Sequence, residues 1–118
     1  MRYHHSGIPT TVPQPGEVYL ESYDIHCTDH RSNPFGLQWM RYGERCTLPA
    51  VVREKVHLAF EVDDLEKALE GKKIIIHPNS PSEGVVVAFI LENGVPIEFL
   101  EFTESSAAVR RGGSGGDA

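Results

Sequence analysis

The sequence predicts an α+β fold of two pseudo-repeated modules, βαβββ in the second half and a helix-poor reduced copy in the first. Three observations carry this. The hydropathy pattern of residues 55–104 runs strand, helix, strand, strand, strand. The polar landmarks of that half recur in the first half in the same order. They are spaced more closely there, 33 residues from His5 to Gln38 against 41 from His57 to Glu98, and the deficit is about one short helix.

The second module is the clearer one. Val56, Leu58, Phe60 and Val62 alternate with His57, Ala59 and Glu61, the period of a half-buried strand. Asp63 or Asp64 can accept the first unpaired N–H groups of a helix over 65–70, and Gly71 can end it. Residues 73–77 are strand-like and 78–84, with two prolines, read as loop. A strand over 85–91 then meets Asn93-Gly94, a hairpin signature, and returns over 95–102. On that return Glu98, Leu100 and Phe102 share one side, opposite Ile97, Phe99 and Glu101.

The first module opens on a strand over 2–8, and Pro9, Pro13 and Pro15 then forbid an ordinary helix. Residues 17–28 lean towards strand, 29–36 form a polar turn, 37–42 are a strand, and 45–55 link the halves. One domain over 1–104 is expected, with modules at about 1–44 and 55–104. The tail, 105–118, is rich in Gly and Ser and is expected to be mobile. Arg110 and Arg111 read as solvated charges.

Composition narrows the function. The chain has 17 acidic and 11 basic residues, a formal charge of -6, which opposes a general nucleic-acid binder. No apolar run approaches the roughly 20 residues that span a bilayer, and no apolar segment follows Met1. Cys27 and Cys46 form neither a disulfide framework nor a Cys-X-X-Cys motif. A soluble, cytoplasmic protein with free thiols is expected.

The repeat carries the chemistry. His5-Ser6-Gly7-Ile8 lies over His57-Leu58-Ala59-Phe60 as His, any residue, small, apolar, and Gln38 falls at the position of Glu98. Each module offers one His on its opening strand and one Gln or Glu on its closing strand. Brought together by a pseudo-twofold, His5, Gln38, His57 and Glu98 form an N2O2 set suited to Zn, Ni, Co, Mn or Fe(II). Taken singly, each has a structural alternative. His57 suits a hydrogen-bonded strand histidine, Gln38 suits a partner for backbone groups, and His5 suits a frayed end. Glu98 is harder to explain structurally, because an unpaired carboxylate among Ile97, Phe99 and Leu100 is costly. His26 and His30 flank Asp29 and read as surface residues, and His77 reads as a strand end.

The runs 57–65 and 94–100, with His5-Ser6-Gly7-Ile8-Pro9, resemble the vicinal oxygen chelate superfamily of glyoxalases, epimerases, extradiol dioxygenases and bleomycin-resistance proteins. The His, Gln, His, Glu pattern is most similar to methylmalonyl-CoA epimerase. The resemblance implies a cupped mixed β-sheet and a divalent metal held by His5, Gln38, His57 and Glu98. It also implies a small substrate with adjacent oxygens, with Glu98 moving a proton to and from an enolate or enediolate. Glyoxalase-like lyase, isomerase or epimerase chemistry follows, with drug sequestration as the alternative. Trp39, Met40, Tyr42, Leu100 and Phe102 are expected to line the substrate pocket, with Glu61 at its outer edge. A homodimer is expected, as in related folds.

Overall fold

Strand pairing begins with β1 (Arg2–Pro9), whose neighbours come from both halves of the chain. A computed structural model describes residues 1–103; Glu104 and the tail expected to be mobile lie outside the described residues. The first half continues with β2 (Val18–Leu20), β3 (Ile25–Cys27), a 3-10 turn at His30–Ser32 and β4 (Leu37–Tyr42). The second half follows α1 (Ala50–Glu54). It comprises β5 (His57–Glu61), α2 (Leu65–Leu69), β6 (Lys73–Ser82), β7 (Val85–Glu92) and β8 (Val95–Phe102).

All eight strands form one mixed sheet in the order β2-β3-β4-β1-β5-β8-β7-β6. Each module uses the same plan. Its opening strand pairs in parallel with its closing strand (β1 with β4, β5 with β8), and the two middle strands extend outward antiparallel. The opening strands meet antiparallel at the centre, so the modules are related by a pseudo-twofold and the sheet curls into a cup.

The outer face of the second module is covered by α2. Asp64 accepts a hydrogen bond from the Lys67 N–H at 3.1 Å, and Glu101 of β8 accepts from the Leu65 N–H at 2.6 Å. These caps serve donors that no helix can satisfy internally. Leu65 and Leu69 pack with Val62, Ala88, Ile90 and Phe99. Deleting the Phe99 ring there leaves a cavity that a five-residue helix cannot refill. Phe99→Ala is expected to cost about 3–5 kcal/mol, read as a lower urea midpoint at unchanged slope. A smaller cluster of Ala59, Val85, Val87 and Leu100, with Phe102 against it, lies on the inner face.

Three expectations are corrected. Residues 78–82 are strand rather than loop. β6 runs through Pro78 and Pro81 with irregular pairing, which an edge strand tolerates because its outer side needs no N–H donors. The link contains α1, opened by Pro49, with Val52 buried; one turn and a half shows almost no periodicity in a sequence. Finally, Val56 precedes β5 and is exposed, whereas His57, Ala59 and Glu61 are its buried face. The inside of the cup is more enclosed than the outer side, so the polar alternation faces inward. No helix among the described residues is long and apolar enough to cross a membrane.

Candidate functional site

His5 reaches the inner face because β1 is irregular. Tyr3 pairs with Phe60, but the next β5 residue, Ala59, pairs with His5 rather than His4. The extra residue is a β-bulge, which turns the chain by one side-chain step. Without it, His5 would point outward.

The strand register explains the His-X-small pattern. Gly7 lies between Gln38 on β4 and His57 on β5, and Ala59 lies between His5 on β1 and Glu98 on β8. In each row two polar side chains must meet across an intervening strand, so the residue beneath them must be small. A Cβ on Gly7 would stand 2.0 Å from His57 Cε1. Ala59 is wholly buried.

The side chains converge. His5 Nε2 and His57 Nε2 each lie 3.3 Å from Glu98 Oε1. One donor atom from each of the three residues falls within 4.8 Å of the others. Gln38 is buried and shares their cavity. Burial alone would raise the Glu98 pKa, but hydrogen bonds from His5 and His57, reinforced by their charge, outweigh it and hold it at about 2. Glu98 is therefore a carboxylate throughout the neutral range. His57 Nδ1 is buried without a hydrogen-bond partner, and its ring packs 5.1 Å from Phe89. Two imidazoles around one carboxylate, with an amide beside them, are a donor set that fits a divalent transition ion.

The cavity above them measures about 130 Å³, well under the roughly 300–1,000 Å³ of drug-sized pockets. Met40, Tyr42 and Leu100 line it. Burial, the largest influence on the Tyr42 phenol, pushes its pKa well above the usual 10, so it stays a neutral donor. Trp39, Glu61 and Phe102 are not among its walls. Trp39 alternates with Gln38 and Met40 and so faces the other side of β4. Glu61 shares the His57 face but is taken by Arg2 Nη2 at 3.2 Å, and Phe102 packs against the inner apolar cluster.

Sequence reasoning missed other wall residues, among them Ile25, Val52, Ile76, Val87 and Phe89. Ile25 joins them because β3 pairs it with Tyr42, a register that only the folded sheet shows. The expectation for His30 is also corrected. Its side chain is 11% exposed and its ring lies 4.4 Å from that of His4, because the 3-10 turn folds it over the end of β1. His26 stacks on Tyr19 at 4.5 Å. Cys27 is buried and both cysteines are free; burial raises the Cys27 thiol pKa, which makes it a poor nucleophile.

No known family profile and no curated protein matches this sequence. Solved structures do. A hypothetical protein, BH1468 from Bacillus halodurans C-125, superposes with a TM-score of 0.63 at 19% identity, over 87% of this chain and 95% of that one. Methylmalonyl-CoA epimerase from Mycobacterium tuberculosis superposes with a TM-score of 0.61 at 18% identity, over 91% of each chain. With paired modules, a curled eight-stranded sheet and these two likenesses, the chain has a glyoxalase-like fold.

Proposed function

We propose that this protein is a divalent-metal-dependent isomerase, epimerase or glyoxalase-like lyase acting on a small carbonyl compound with adjacent oxygens. The observation that carries the reading is the meeting of His5, His57 and Glu98 on the floor of a mostly apolar cavity. His5, Gln38, His57 and Glu98 would hold the ion. Bound there, a divalent ion supplies Lewis acidity that makes a C–H beside a carbonyl easier to ionise.

The chain's own groups do the rest. Among the described residues Glu98 is the only carboxylate that lines the cavity, so it takes a proton from that carbon and returns it. Gln38 has no useful basicity; its amide orients an oxygen of the substrate. The Tyr42 hydroxyl is the donor on the wall. The apolar remainder excludes water from the enolate or enediolate, and the cavity admits only a few heavy atoms at a time. A larger molecule would enter by its reacting end. The protein works as a cytoplasmic homodimer.

Metal analysis of protein purified without an affinity tag tests the assignment. About one ion per chain is expected in the wild type, and a marked loss in His57→Ala and Glu98→Ala. Equal occupancy in all three would end it. The apolar walls also favour a second reading, sequestration of a small molecule without turnover. Incubation with a 2-hydroxycarbonyl compound in D2O separates the two: catalysis changes its stereochemistry or carbonyl position, with or without deuterium uptake, and sequestration leaves it unchanged.

A further inference from the structure

A histidine that donates one ring nitrogen to a metal nearly always fixes its other nitrogen through a hydrogen bond, commonly to a carboxylate or a backbone carbonyl. His5 does something else. Its Nδ1 lies 2.7 Å from His4 Nδ1, a contact made possible by the bulge that places His4 and His5 together opposite Ala59. The His4 ring is itself held, 4.4 Å from His30 and 5.8 Å from Phe102 by ring centroids. We propose that His4 is the positioning residue of the metal centre, holding His5 through an N–H···N bond whose direction reverses when a cation enters. This rests on the metal reading above.

The proton count follows from the geometry. Without a cation, His5 Nε2 carries the proton and donates to Glu98 Oε1 at 3.3 Å. His5 Nδ1 then bears a lone pair, and His4 Nδ1–H donates to it. To bind a cation, Nε2 must offer its lone pair, so the His5 proton sits on Nδ1 and donates to His4 Nδ1. The His4 proton then sits on Nε2. Each proton moves only between the two nitrogens of its own ring, so the exchange leaves the proton count of the pair unchanged. A carboxylate in place of His4 can only accept, and would fit one of the two states. An imidazole fits both, and so does an amide, which can present either oxygen or N–H₂.

The test uses the full chain with histidine ¹⁵N labelling, with and without ZnCl₂, in wild type, His4→Phe and His4→Asn. Phe keeps an aromatic ring beside His30 and Phe102 but removes the nitrogen; Asn keeps a reversible partner. In the wild type, His4 and His5 are expected to exchange tautomers together on Zn²⁺ addition. His4→Phe should bind Zn²⁺ roughly 10–100-fold more weakly, with the His5 resonances broadened or displaced, and His4→Asn should recover most of that affinity. Wild-type affinity and unchanged His5 resonances in His4→Phe would overturn the proposal. So would a loss in His4→Phe that Asn does not repair, which marks a packing role only. If the wild type takes up no Zn²⁺, the metal reading fails first, and this inference with it.

Discussion

Gly7→Ala should dismantle the centre while changing a single hydrogen into a methyl group. Gly7 does not have a positive φ, so the requirement is one of space. The added Cβ would fall 2.0 Å from His57 Cε1 and 2.6 Å from both ring nitrogens. The ring has nowhere to retreat, because Phe89 stands 5.1 Å away and Glu98 meets its Nε2. Overpacking of this kind costs about 1–3 kcal/mol. The larger effect is on the donor set, since His57 can no longer meet Glu98 and His5 around one point. A loss of about a hundred-fold or more in divalent affinity is expected, close to 2.7 kcal/mol. The double variant Gly7→Ala/His57→Ala should regain stability without regaining metal, and the coupling between the two substitutions measures the clash. Normal metal uptake by Gly7→Ala would show that His57 binds no ion in this orientation.

Glu98→Gln should lose both metal and proton transfer, and Gln38→Glu should restore the first when combined with it. Glu98 is the one charged oxygen donor among the four residues, and the amide of Gln in its place offers a cation no negative charge. Divalent affinity should therefore fall at least a hundred-fold. Any turnover should fall by roughly 10²–10⁴, the usual contribution of a positioned acid–base group. Gln38 is the pseudo-twofold counterpart of Glu98, flanking Gly7 as Glu98 flanks Ala59. The double variant presents two imidazoles, one carboxylate and one amide again, on exchanged sides. Calorimetric titration with Zn²⁺ should show its affinity recovering while turnover does not, because the base now stands on the opposite wall. If the double variant binds no better than Glu98→Gln, Gln38 is not a ligand.

Much of the site was legible because the repeat preserves a register. His57 with Ala59, and His5 with Gly7, had to be spaced by two if each His was to sit beside a small residue on one strand face. What escaped was anything set by a change in that spacing. The bulge in β1 adds a residue that no alternation pattern marks, and His4 was passed over for the same reason. Trp39 looked like pocket by its composition, yet its neighbours Gln38 and Met40 already claimed the inner face. The prolines of β6 read as loop because nothing local reveals that a strand will lie at a sheet edge.

Local pattern alone determined the second module's order of elements, the start of α2 at Asp63 or Asp64 and its stop at Gly71, the Asn93-Gly94 hairpin and the four polar positions of the repeat. These depend on backbone chemistry and periodicity within a few residues. Only the folded sheet decided that the two modules join through β1 and β5, that His5 turns inward and that His30 lies over His4. It also decided that the polar face of β5 is the buried one. Each of those outcomes depends on which distant strand supplies the neighbouring surface, and that information exists only once the strands are paired.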